Sequence, residues 1–177
     1  MKRLTASMAA LLLALAVVAS SGAFADSATQ SDLRHGADRG FERFLHHYEA
    51  ANEAFVNGNP QPWLSITAEK DPQSIFGGFG GLGEAGAATV HQRYLLAAGA
   101  FQESGAEVDF EYRVKDVRGR LAYTVAIERA DVLYTGQNET QEQVLRATMI
   151  YRYEKGDWKI VHRHADMMVD LQLPTAG

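Results

Sequence analysis

Apolar residues at Phe41, Phe44, Leu45, Tyr48, Ala51 and Phe55 recur at steps of three and four, the spacing that lines up side chains on one face of an α-helix. Glu42, Arg43, Glu49 and Glu53 fall off that stripe. A helix is therefore expected from about residue 31 until Asn57-Gly58-Asn59-Pro60, where turn residues and a proline end it. A short second helix is expected over 62–68 with Trp63 and Leu64 facing inward, and a third over 87–101. Beyond these the period changes to two. Val108, Phe110, Tyr112 and Val114 fall on one face of a strand and Asp109, Glu111, Arg113 and Lys115 on the other.

Residues 121–134 read as a long, mostly apolar strand, and 144–154 as one that sets Ala147, Met149, Tyr151 and Tyr153 against Arg146, Thr148 and Arg152. A tight turn at Lys155-Gly156-Asp157 leads to a closing strand. There strict alternation gives Trp158, Ile160, His162 and His164 one face and Lys159, Val161, Arg163 and Ala165 the other. On the same parity, Arg146, Arg152, Lys159 and Arg163 are expected to point outward. Helices first and antiparallel strands afterwards indicate the α+β class, with helices covering one face of a curved sheet.

The start of the chain changes the picture of where the protein works. Lys2 and Arg3 precede the apolar run MAALLLALAVVA, and Ala23-Phe24-Ala25 supplies small residues at a cleavage position, the layout of a secretory signal peptide over 1–25. Residues 26–40 then read as a lead-in, 41–170 as the folded domain and 171–177 as a tail. The run is short for a membrane span and no stop-transfer pattern follows, so an exported protein, periplasmic or secreted, with no membrane association after cleavage, is expected. Loss of Lys2 and Arg3 leaves 15 basic residues against 22 acidic ones. That balance speaks against nucleic acid as a partner, which needs clustered lysine and arginine. There is no cysteine, which removes disulfides, thiol nucleophiles and thiolate metal sites together.

Gly78, Gly80 and Gly83 satisfy G-x-G-x-x-G, the dinucleotide-binding fingerprint. That motif needs a parallel βαβ unit behind it, and the strands after residue 101 read as antiparallel, so a glycine-rich turn or lid is the expectation and no cofactor is assigned.

Four stretches resemble the SnoaL-like (DUF4440-type) branch of the nuclear transport factor 2-like superfamily. AFVNGNPQPWLSI is similar to the end of that family's first helix and the step after it, SIFGGFGGLGEAGAATV to its glycine-rich segment, LAYTV to a mid-sheet strand, and RATMIYRYEKGDWKIVHRHAD to its final hairpin. The resemblance implies a cone: three N-terminal helices packed in the concave face of a strongly curved, mostly antiparallel sheet, a pocket between them, and commonly a homodimer. Two departures stand out. Lys70-Asp71-Pro72-Gln73 supplies one carboxylate where many relatives have an acidic pair, and Met149 stands where a hub-domain cousin carries an arginine.

His162 and His164 on the expected concave face admit several readings: structural hydrogen bonds, polar groups in a small-molecule pocket, a base, or metal ligands. A metal would need a third ligand, and His46, His47 and His91 have no spacing that supplies one, so none is expected. The expected pocket is lined by Tyr48, Trp63, Phe76, Tyr94, Tyr112, Tyr123, Tyr151, His162 and His164, and takes a small apolar or aromatic molecule. In the alternative, an isomerase, dehydratase or cyclase-type enzyme, His164 oriented by Asp166 is the base and Tyr48 or Tyr94 the donor. A third reading is an oligomeric assembly module whose pocket is vestigial.

Overall fold

The computed structural model describes residues 40–169. The expected signal peptide, the lead-in up to residue 39 and the tail from residue 170 lie outside the described residues.

The first helix, α1 (40–56), buries Phe41, Phe44, Leu45, Tyr48, Ala51 and Val56, with Phe55 half-buried beside them. Asn52 sits in the same stripe, a polar residue buried on an apolar face. Asn57 ends the helix and clamps it. Its Nδ2 donates to the carbonyls of Glu53 and Ala106, both at 2.8 Å, while its Oδ1 accepts from the amides of Ser104 and Ala106 at 3.1 and 3.0 Å. Helix α2 (Gln61–Ile66) turns Trp63 and Ile66 into the core, and α3 (Ala87–Ala98) does the same with Val90, Tyr94 and Ala98. Asp71 Oδ1 accepts the Ala87 amide at 2.7 Å, a fixed negative charge at the positive end of α3.

Seven strands follow one another as β1 (Ser74–Phe76), β2 (Glu84–Ala85), β3 (Phe101–Gln102), β4 (Asp109–Arg118), β5 (Leu121–Tyr134), β6 (Gln141–Glu154) and β7 (Asp157–Met167). They form one strongly curled sheet in the order β2-β1-β7-β6-β5-β3, with β4 on the free edge of β5, and only β1 runs parallel to its neighbour β7. The helices pack on the concave face, where Phe41, Tyr48, Trp63 and Tyr94 meet Ala122, Met149, Tyr151, Trp158 and Ile160. Of these, Phe41, Met149 and Ile160 each contribute about 1.5–3 kcal/mol by leaving water. The glycine-rich segment is the loop of the β1–β2 hairpin, with no parallel βαβ unit behind it. Gly83 in it has φ +87°, and a Cβ there would collide with the Phe76 ring, so only glycine brings the hairpin back on itself at this point.

Two β-bulges overturn the strict alternation read from the sequence. In β4, Tyr112 pairs with Ala126 but Val114 with Val125, so Arg113 is an extra residue. Phe110 and Tyr112 share the inner side with Glu128 and Ala126, and Val114 turns outward. In β7, Ile160 pairs with Tyr151 but His162 with Ile150, so Val161 is extra and every later side chain changes face. Trp158 and Ile160 point inward, and after the bulge Arg163 and Ala165 do so in place of the histidines.

Candidate functional site

The consequence of the second bulge is a guanidinium in the interior. Arg163 Nη1 donates to Glu128 Oε1 at 3.0 Å and Nη2 to Oε2 at 2.6 Å, the two-pronged geometry that suits a carboxylate. The side chains of Arg163 and Glu128 are only 10% and 4% exposed. Tyr48 donates its hydroxyl to Glu128 Oε1 at 2.6 Å, and the guanidinium lies 5.4 Å from the centre of the Trp63 ring. Met149, paired opposite Arg163, brings its sulfur within 3.4 Å of Nη1.

Glu128 reaches this place by plain alternation. Ala122, Thr124, Ala126 and Glu128 are successive inward positions of β5, and the three small residues leave room for the helices. Burial alone would raise the Glu128 carboxyl. Arg163 outweighs it by charge and hydrogen bonding, with help from Tyr48 and Asn52, and holds the group below its ordinary value. Burial works the other way on Arg163, and Glu128 again wins, so the guanidinium stays charged. Tyr94 is pushed up to about 12, chiefly by burial, and Tyr48 is raised by burial and by Glu128. Both phenols are neutral donors at physiological pH.

Above this pair lies a cavity of about 60 Å³. Phe55, Val56, Ile75, Ala97, Phe101 and Leu145 make its apolar walls, and Asn52, Trp63, Tyr94, Gln143, Glu128, Arg163, Arg93 and Arg129 are the residues with polar groups in its lining. Gly77, Gly78 and Phe79 of the hairpin loop complete the enclosure. Gly78 is close enough to Leu145 that a Cβ would stand 3.0 Å from its Cδ2. Phe79 rests against Phe101 and Tyr134, with ring centres 5.7 and 6.2 Å away, and Arg93 Nη2 holds the loop by donating to the Gly80 carbonyl at 2.7 Å.

Residues 87–170 match the family described as the SnoaL-like domain. Over these residues the chain is SnoaL-like. Solved structures share its fold. A candidate scytalone dehydratase from Novosphingobium aromaticivorans is 14% identical with a TM-score of 0.61, over 82% of this chain and 95% of that one. A candidate dehydratase of the nuclear transport factor 2-like family from Streptomyces avermitilis is 19% identical with a TM-score of 0.59, over 75% and 98%. A candidate calcium/calmodulin-dependent protein kinase II association domain from Xanthomonas campestris is 15% identical with a TM-score of 0.59, over 73% and 88%. No curated protein matches the sequence. These likenesses carry the nuclear transport factor 2-like cone, whose members differ in chemistry.

The fold distributes the residues singled out in the sequence over both sides of the sheet. Trp63 and Tyr94 line the cavity. Tyr48 lies beneath it on Glu128, and Tyr151 is fully buried in the core, its hydroxyl 2.9 Å from Thr124 Oγ1. Tyr112 sits at the helix edge, donating to Glu49 at 3.0 Å. Phe76, Tyr123, His162 and His164 stand on the outer face, contrary to the expected concave placement. Strand pairing sets Asp116, Tyr123, Ile150, His162 and Ser74 in one row and Val114, Val125, Thr148, His164 and Phe76 in the next.

There His162 Nδ1 shares a hydrogen bond of 2.8 Å with Ser74 Oγ, and burial, then His164, lowers its pKa. His164 Nε2 is 3.6 Å from Asp166, which also pairs with Arg146. Phe76 lies against both imidazoles. The sheet thus separates His164 and Asp166 from Tyr48 and Tyr94, and the expected base and donor do not meet. Among the described residues no three His, Asp or Glu side chains converge as a metal site requires. Sequence reasoning missed Glu128 and Arg163. Glu128 carried a signal, a carboxylate on the small-residue face of β5; Arg163 carried none without knowledge of the bulge.

Proposed function

We propose that this SnoaL-like protein is exported and binds a small, largely apolar molecule in the cavity between its helices and sheet. The observation that carries the reading is an apolar cavity floored by a fixed, fully paired Glu128–Arg163 couple. Such a couple adds little to stability by itself, but facing a cavity it orients a bound molecule's polar end. The histidines, which lie on the outer face, have no part in this pocket.

Size sets a further condition. An engineered apolar cavity of ~150 Å³ accepts benzene, so 60 Å³ admits only a few heavy atoms until the wall at Gly77, Gly78 and Phe79 moves. Phe79, 44% exposed, is the side chain of that wall we propose moves, leaving its contacts with Phe101 and Tyr134. The dehydratase-type reading needs a base at the cavity, and Glu128, held below its ordinary value by Arg163, is a weak one. Binding is therefore the reading ahead of catalysis. The outer face, with Leu121, Tyr123 and Ile150 exposed, is proposed as the contact of a homodimer, in keeping with the association domain among the structural relatives.

Native mass spectrometry of the protein purified from its own host tests this. The expected result is a chain beginning near Asp26 that carries a defined small mass, and an Ala97→Phe variant, folded by circular dichroism, that has lost it. A chain that carries nothing and takes up nothing from a mixture of small apolar compounds refutes the binding reading.

A further inference from the structure

The walls of the cavity are held to very different degrees. Helices α1, α2 and α3 supply Asn52, Trp63 and Tyr94, and the inner faces of β5, β6 and β7 supply Glu128, Leu145 and Arg163, all on elements with continuous backbone hydrogen bonding. The hairpin loop differs. Three of its residues 78–82 are glycine. Of the two side chains left, Leu82 is wholly exposed and Phe79 lies on Phe101 and Tyr134. The Gly80 amide donates to the Gly77 carbonyl at 2.9 Å, which shapes the turn without tying it to anything else. Among the described residues, one hydrogen bond joins 78–82 to another element, from Arg93 Nη2 to the Gly80 carbonyl at 2.7 Å.

Arg93 is suited by position to hold this loop. It stands on α3, whose Val90, Tyr94 and Ala98 are buried, so its backbone is fixed. Its side chain is 16% exposed and its carboxylate partner, Glu84, is 3.9 Å away, a loose pair. A Cβ on Gly77 would stand 3.5 Å from Arg93 Nε and Nη2, and one on Gly81 3.9 Å from Nη2; the loop is wound closely around the guanidinium. Segments with few buried contacts and few backbone bonds open at a free energy well below that of global unfolding. Opening here breaks one charge-assisted hydrogen bond and two ring contacts, and leaves the helices and the long strands in place.

We propose that residues 78–82 are a lid over the cavity and that Arg93 is the latch that holds it shut. Opening releases the Gly80 carbonyl from Arg93 and lifts Phe79 off Phe101 and Tyr134. The inference rests on the ligand-pocket reading above and gives that pocket its point of entry.

The chain has no cysteine, so a single introduced thiol reports alone. Leu145→Cys places one beneath Gly78, whose Cβ would stand 3.0 Å from Leu145 Cδ2. Ala122→Cys places one in the core, at a residue 3% exposed that does not line the cavity, where labelling needs global unfolding. Each folded protein is treated with iodoacetamide and followed by mass spectrometry. The Leu145→Cys thiol is expected to react faster than the Ala122→Cys thiol. Adding Arg93→Leu should speed the first about tenfold, the value of one hydrogen bond to a charged donor, and leave the second unchanged. Arg93→Lys, which keeps a charged donor, should fall between. Should Arg93→Leu fail to fold, Phe79→Ala removes the other anchor of the lid and should act alike.

Equal rates for the two thiols with the loop unaltered, or equal acceleration of both by Arg93→Leu, overturn the lid, because then only the whole molecule opens. No acceleration in either loop variant overturns the latch. Toluene separates this inference from the pocket reading. It should shift the methyl signals of Val56, Ile75 and Leu145, and in Arg93→Leu it should enter and leave about tenfold faster with little change in affinity. Toluene binding at a rate untouched by Arg93→Leu overturns the lid and leaves the pocket standing. Selective labelling of the Leu145→Cys thiol with no signal moved by toluene refutes the pocket reading and supports the lid.

Discussion

At the scale of single residues, Glu128 and Arg163 show how one side chain makes another tolerable. Removal of either leaves a charge buried without its partner, which costs about 3–5 kcal/mol. Glu128→Met and Arg163→Met are each expected to lower stability by that amount in urea unfolding, while the double variant recovers most of the loss because neither charge remains. Additive losses in the double variant would show that the pair is not coupled. Acid adds a second readout. The folded carboxyl is held below its ordinary value of 4.5, so the unfolded chain takes up a proton first as pH falls. The stabilisation is therefore complete above about pH 5 and is lost only as pH drops through the folded value, a decline that the double variant should lack.

At the scale of elements, local anchors set where helices and strands stop. Asn57 joins the end of α1 to the segment before β4 through three hydrogen bonds, with a fourth back to Glu53 of the helix. Asn57→Ala is expected to cost about 1–3 kcal/mol in urea unfolding, with faster amide exchange at Ser104 and Ala106; unchanged exchange there would refute the clamp. The helical stripe of α1, the proline-bounded α2 and the alternation of β5 and β6 were legible in the sequence because each follows one period from end to end. The faces of β4 after Tyr112 and of β7 after Ile160 were not. A bulge is selected by pairing with a neighbouring strand, and neither Arg113 nor Val161 announces by its own chemistry that it will be the unpaired residue. The pocket was therefore legible in its helical half, at Trp63 and Tyr94, and illegible where the closing strand completes it.

At the scale of the molecule, the curled sheet has a concave side filled by helices and an outer side with large apolar groups on it. Leu121 is 53% exposed, Tyr123 39% and Ile150 38%, on paired strands whose registers bring Tyr123 and Ile150 side by side. Light scattering is expected to give twice the mass of one mature chain, and Tyr123→Arg to give a single chain with little change in stability, since an exposed substitution alone alters it by about 0.5 kcal/mol or less. An unchanged mass in the variant, or a wild-type protein that is monomeric at micromolar concentration, rules out this face as the contact.

The extra residue at Val161 reaches further than the strand that holds it. The same three letters, His162-Arg163-His164, encode an arginine-floored chamber with imidazoles outside, or an imidazole-floored chamber with arginine outside, according to whether Val161 bulges out of the ladder or is paired in it. Two relatives could keep every one of these side chains, Val161 included, and exchange the groups that floor the chamber by pairing that valine in the ladder instead of bulging it. What faces the interior here is written in strand pairing, so a comparison of letters position by position would pass over the change.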